Sequence, residues 1–312
     1  MGIIQSFISE AIPPESEFSV EDIPDLTGKV IIVTGGNAGI GKSTVKALLT
    51  HNAKVYLAAR NEEKAQLAID DIECQIGKKA LFLRLNLADL LSVKAAAQEF
   101  MRQESRLHVL FNNGGVMATP HEQLTTQGYD LQFGTNVLGH MYFTQLLLPT
   151  LLLGAKFSPD GKARVVTTSS SGHLFGFLDF STFKDGPGRN RRSTSFFYLQ
   201  SKFGNVVFAN ELARRYGDKG IVSVSLNPGN IDTGLYQHLP KLFLAIAKIL
   251  WLYAPDHGAL TQLWAGTSAE GGNLNGKYLI PWARIGKPKT SSTDPELGKQ
   301  LWKWLEDQVE NI

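Results

Sequence analysis

The chain has 312 residues, 43% of them hydrophobic and 19% charged, with a formal net charge of +2. That balance suits one large α/β domain with a sizeable core and implies no general attraction to nucleic acid or to an anionic membrane. Cys74 is the only cysteine, which excludes an internal disulfide and a cysteine-based metal cluster and suits a reducing compartment such as the cytoplasm.

No apolar run reaches the roughly 18 residues of a membrane-spanning helix. The first residues lack a basic segment and do not read as a secretory signal. They run Met1-Gly2-Ile3-Ile4-Gln5-Ser6, which fits a loose acylation pattern as well as an ordinary start.

Residues 1–26 carry Pro13, Pro14 and Pro24, and read as an N-terminal arm lying on a single domain of residues 27–312. From Lys29 onward, short apolar runs alternate with helical patterns. Strands are predicted at 30–34, 55–59, 80–87, 107–112, 164–169, 221–226 and 277–280. Helices are predicted at 39–52, 62–75, 93–103, within an interrupted stretch at 125–153, at 196–216 and at 296–309. Strands that are apolar without strict alternation belong in a parallel sheet covered on both faces. The expected fold class is therefore α/β, a doubly wound parallel sheet of the Rossmann type, with insertions near 172–197 and 232–258.

Val33-Thr34-Gly35-Gly36-Asn37-Ala38-Gly39-Ile40-Gly41 follows the first strand and opens a helix. Glycines there permit a tight turn and let a phosphate approach the backbone, and the helix start offers free N–H groups. A plain glycine-rich turn would show the same residues. The position after a first strand favours a nucleotide. Tyr198 and Lys202 lie four apart on a predicted helix and share a face, as a solvated pair also would. An ammonium beside a phenol favours the phenolate, which makes the pair a candidate acid/base.

The GxxxGxG spacing together with Tyr198 and Lys202 resembles the short-chain dehydrogenase/reductase family over about residues 28–285. Further family motifs occur in order: Asn112-Asn113-Gly114-Gly115, with Gly115 where the family has alanine, then Asn136, Thr168-Ser169-Ser170 and Asn227-Pro228-Gly229 with Thr233. The long gap between Ser170 and Tyr198 is similar to the retinol-dehydrogenase-like branch and its fungal relatives.

The resemblance implies an oxidoreductase in which Tyr198 exchanges a proton with the substrate oxygen and Lys202 assists it and binds the nicotinamide ribose. It implies that Ser170, with Ser169 and Ser171 as rivals in register, holds that oxygen, and that Asn136 holds a water in a proton relay. It places Gly35, Asn37, Gly39, Ile40, Gly41, Arg60, Asn86, Leu87, Asn113, Gly114, Pro228, Gly229, Ile231 and Thr233, besides Tyr198 and Lys202, at the dinucleotide. Asn86 stands where the family usually has aspartate. The second strand ends Ala58-Ala59-Arg60-Asn61 with no acid to bind ribose hydroxyls, so NADP(H) is preferred over NAD(H). Lys42 is a helper or a surface residue. No metal is required.

In the first insertion Phe175, Phe177, Phe180 and Phe183 line an apolar pocket or pack the insertion down, His173 borders the substrate or sits in a loop, and Arg189, Arg191 and Arg192 read as a solvated loop. The apolar segment Leu239–Tyr253 covers a lipophilic substrate, forms a homodimer contact or lies on a membrane surface as a peripheral anchor. The expected reaction interconverts an alcohol with its ketone or aldehyde on a bulky lipophilic molecule. An enoyl- or imine-type reductase and a non-catalytic dinucleotide-binding module are the rivals.

Overall fold

In a computed structural model, which describes residues 3–232 and 252–312, eight strands form one sheet. They are β1 Val30–Thr34, β2 Lys54–Ala59, β3 Leu81–Arg84, β4 Val109–Asn112, β5 Ala163–Thr168, β6 Ile221–Leu226, β7 Tyr278–Ile280 and β8 Arg284–Ile285, in the spatial order β3-β2-β1-β4-β5-β6-β7-β8. Neighbours pair in parallel as far as β7, and β8, which sequence reading misses, returns antiparallel. The helices are α1 Ile3–Ala11, α2 Gly39–Thr50, α3 Glu62–Ile76, α4 Leu90–Gln103, α5 Leu131–Lys156, α6 Thr194–Tyr216, α7 Pro255–Thr267 and α8 Pro295–Val309.

Both faces of the sheet are covered, which is why its strands show no alternation. Val30 and Ile32 pack into a core with α4, α5, α6 and α8, while Ile31 and Val33 pack into a second core with α2, α3 and α7. Strand order reverses between β1 and β4, and crevices at the carboxyl ends of such sheets are where ligands bind.

Helix boundaries follow local chemistry. The Asn61 side chain accepts from Lys64 N–H to cap α3, and Gly77 ends that helix at φ +68°. Asp89 caps α4, and Ser193 caps α6. The interruption expected inside 125–153 is a π-turn at Gly134–Leu138, near the start of α5. Helix α5 is long and apolar enough to cross a membrane, but its most apolar window is 72% buried inside the fold.

The arm of residues 1–26 holds α1, and its Phe18, Ile23 and Leu26 pack into the second core. Helix α7, whose Leu263 packs into that same core, is, like α1 and β8, an element that sequence reading does not place.

The first insertion divides in its chemistry. Phe183 is fully buried and stacks on Phe133 with ring centroids 3.7 Å apart, so it packs the insertion onto the domain. Phe175 and Phe177 remain about half exposed. Arg189 corrects the expectation of a solvated loop: it is 2% exposed, donates to Asp130 at 3.2 Å and reaches the carbonyls of His121 and Gln123. Arg191 and Arg192 are exposed, and Arg192 pairs with Asp179 at 3.0 Å. The segment Leu239–Tyr253 lies outside the described residues except for its last two.

Candidate active site

The carboxyl ends of β1, β4, β5 and β6 open into one cleft of about 330 Å³. Gly35, Asn37, Gly39, Ile40 and Gly41 form one wall, Asn113 and Gly114 the floor, Ser170, Tyr198 and Lys202 the far side, and Pro228, Gly229 and Ile231 the remaining edge. Residues from five separate stretches of the sequence thus meet at the topological switch point.

The glycine wall is set by close packing. Gly35 lies at φ +65°, and a Cβ there would come within 2.8 Å of the Gly114 Cα. A Cβ on Gly41 would meet the Gly35 carbonyl at 2.3 Å. The Thr34 hydroxyl ties wall to floor by accepting from the N–H groups of Asn113 at 3.0 Å and Gly114 at 2.9 Å. Helix α2 opens on the cleft with Ala38 at its cap position, a residue with no side-chain acceptor. Its first N–H groups therefore keep their attraction for an anion, and this start fits a dinucleotide phosphate.

Three expected cofactor residues, Arg60, Asn86 and Leu87, do not line the cleft. Arg60 is exposed just past β2. The Asn86 side chain accepts from Ala88 N–H at 3.2 Å, and Leu87 packs under Gly114. Thr233 lies outside the described residues. Lys42 pairs with Asp71 on α3, which is a surface role.

Lys202 is 5% exposed, and its ammonium donates to the Thr168 carbonyl at 3.0 Å. It sits 5.8 Å from the centroid of the Tyr198 ring. Burial pulls its pKa down to about 8, so it remains mostly charged at neutral pH.

The serines separate by their partners. Ser169 is buried, and its hydroxyl donates to the Lys202 carbonyl at 2.6 Å. Ser170 accepts from Gly172 N–H at 3.1 Å while lining the cleft. Ser171 starts the 3-10 turn that follows.

His173 is a residue whose role the sequence left open. It is buried, and because a carbonyl only accepts, Nδ1 donates to Ser170 O at 2.8 Å while Nε2 accepts from Lys289 N–H at 3.2 Å. Burial holds its pKa down at about 4, so the ring is neutral and steadies the Ser170 backbone.

Asn136 lies in the π-turn and is fully buried. Its amide oxygen accepts from Val116 N–H at 2.9 Å, and its NH2 donates to Val116 O and to Ser201 Oγ, each at 3.0 Å. The side chain is thus spent on joining α5, α6 and the loop after β4.

His140, one turn on, was missed. Its Nδ1 donates to the Asn136 carbonyl at 3.1 Å, which leaves Nε2 to accept from the Thr34 hydroxyl at 2.8 Å. Burial holds this imidazole at a pKa of about 4. The spacing of Asn136 and His140, four apart on a helix, was the available signal.

Comparison with known proteins agrees with this fold. The family described as short chain dehydrogenase matches residues 29–184. A short-chain dehydrogenase/reductase of Armillaria gallica is 58% identical over 311 residues, covering 100% of both chains. Among solved structures, 3-ketoacyl-(acyl-carrier-protein) reductase from Brucella melitensis complexed with NADH has a TM-score of 0.64 at 23% identity, covering 82% of this chain and 96% of that one. A short chain dehydrogenase from Shigella flexneri complexed with NADP has a TM-score of 0.64 at 24% identity, covering 82% and 98%.

Proposed function

The chain belongs to the short-chain dehydrogenase/reductase family, and we propose that it is an NADP(H)-preferring oxidoreductase that interconverts an alcohol with its ketone or aldehyde on a bulky lipophilic substrate. The observation that carries this reading is the convergence of Ser170, Tyr198 and Lys202 on the glycine-walled cleft.

When bound, the nicotinamide supplies or accepts the hydride. The chain supplies the rest. In the reducing direction the Ser170 hydroxyl donates to the substrate carbonyl and fixes its position. The Tyr198 hydroxyl gives its proton to the same oxygen as negative charge develops there. Lys202 is a buried cation near the phenol, and it stabilises the phenolate that this transfer leaves behind. In the oxidising direction each transfer reverses, and Tyr198 takes the proton.

The preference for NADP(H) rests on Arg60, exposed at the end of β2 where no acid stands. The lipophilic substrate is supported by Phe175, at the end of the turn that follows Ser170, and Phe177, two residues beyond it, both about half exposed. That turn lies against the acid/base helix, since a Cβ on Gly172 would be 3.7 Å from the Tyr198 ring.

The test is a panel of lipophilic carbonyls and alcohols offered with NADPH, NADH and their oxidised forms, followed at the nicotinamide absorbance. Turnover with NADPH that Tyr198→Phe abolishes is the expected result. Turnover unaffected by that substitution would sink the mechanism.

A further inference from the structure

Helix α1 carries Glu10, a carboxyl only 2% exposed that belongs to none of the motifs above. One of its oxygens accepts from the Asn227 amide and from the Tyr278 hydroxyl, each at 2.9 Å. The Arg284 guanidinium, drawn to the same carboxyl, donates to the Ser9 carbonyl at 3.1 Å. Burial raises the Glu10 pKa to about 7, against the pull of Tyr278, Asn227 and Arg284. A protonated acid keeps an accepting oxygen, so both bonds persist in either state.

Asn227 opens the Asn227-Pro228-Gly229 turn that borders the cleft. Its Oδ1 accepts from Gly229 N–H at 3.1 Å, a turn held by a side chain two residues back. Gly229 sits at φ +87° with the Trp282 ring where a side chain would go, so the turn has little freedom on that flank. An Asn amide can be seated two ways round. Only with its NH2 toward Glu10 does its oxygen face Gly229 N–H. Tyr278 in turn lies against His173, ring centroids 4.5 Å apart, and His173 steadies Ser170. Glu10 is thus the acceptor shared by the cofactor side and the serine side of the cleft.

The geometry points to Glu10 as a positioning residue, carried by the N-terminal helix, that holds the Asn227–Gly229 turn in shape for the nicotinamide end of the cofactor; this rests on the dehydrogenase reading of the cleft.

The test is titration of the full-length protein with NADPH, followed by nicotinamide fluorescence, which needs neither substrate nor turnover. Glu10→Leu removes the acceptor and is expected to weaken NADPH binding about tenfold. Glu10→Gln keeps an oxygen for both donors and should bind within about twofold of wild type. Tyr278→Phe keeps the ring, loses one donor, and should fall between the two, which serves if Glu10→Leu does not fold. Glu10→Leu or Tyr278→Phe binding NADPH as wild type does, with only the thermal midpoint lowered, would reduce Glu10 to a packing residue and overturn the inference. A wild-type chain that binds no dinucleotide would overturn the dehydrogenase reading itself, a result distinct from the first.

Discussion

The Ser169 hydroxyl donates to the backbone carbonyl of Lys202 at 2.6 Å, so the strand that brings the serines is fastened to the helix that brings the acid/base pair. The neighbouring Ser170 keeps its hydroxyl at the cleft wall. Ser170→Ala should lower kcat by about 10² with NADPH affinity nearly unchanged. Ser169→Ala should cost about 1 kcal/mol of stability and leave kcat within tenfold. Steady-state kinetics and urea unfolding of the two variants decide it, and a larger kcat loss in Ser169→Ala would move the substrate role to that residue.

His140 and His173 make stability fall in acid. Burial holds both native imidazoles down to about 4, whereas the unfolded chain takes up their protons near 6.5. The unfolded state binds more protons between those values, so stability drops as pH falls through that window. Glu10 opposes them. Its native carboxyl binds a proton below about 7, so its contribution is complete below the unfolded value of 4.5 and lost as pH rises through 7. Replacing one imidazole isolates its share. His140→Gln should lose about 1.4 kcal/mol less per pH unit than wild type between pH 6 and 4.5, measured by urea unfolding. Parallel profiles would contradict a neutral buried imidazole.

Arg60 gives a discriminating test of cofactor choice. Arg60→Ala should raise the KM for NADPH about tenfold and that for NADH less than twofold, since only the former carries a 2′-phosphate. Equal changes in the two constants would remove Arg60 from that role.

The buried pair of Arg189 and Asp130 holds the first insertion against the start of α5, where Asp130 also accepts from the N–H groups of Gln132 and Phe133. Arg189→Met leaves a buried carboxylate unpaired and should cost about 3–5 kcal/mol. Adding Asp130→Asn should restore part of that loss in a double-mutant cycle. No recovery would mean that the loss comes from the carbonyls of His121 and Gln123 that Arg189 leaves unpaired, rather than from the charge of Asp130.

The sheet was legible because central strands such as β1 are apolar runs whose alternate residues face two different cores. The cleft was legible where function demands particular residues at fixed spacing, as with Gly35, Gly39 and Gly41, or Tyr198 and Lys202. What escaped depends on partners far away in the chain. Glu10 reads as a polar residue in a proline-bearing arm until Tyr278, 268 residues later, is folded against it. Arg189 reads as solvated until Asp130 is brought to it across 59 residues. Helix α7 has no strong apolar stripe because both of its sides are covered, with buried Gly258, Ala259 and Gln262 as well as Leu263. The roles of His140 and His173 could not be read because an imidazole shows its tautomer only through what it touches.

The π-turn at Gly134–Leu138 adds a residue to one turn of α5. Shortening the chain by one there would yield a more regular helix, yet every side chain beyond it would swing by about 100°. His140 would leave Thr34, Thr144 would leave Asn112, and Gly139 would turn from the Leu87 carbonyl, where a Cβ would already be only 2.4 Å away. The length of this segment is therefore as much a part of the site as its composition. Substitutions there can be absorbed one at a time, but an insertion or deletion shifts the frame of the whole helix behind it.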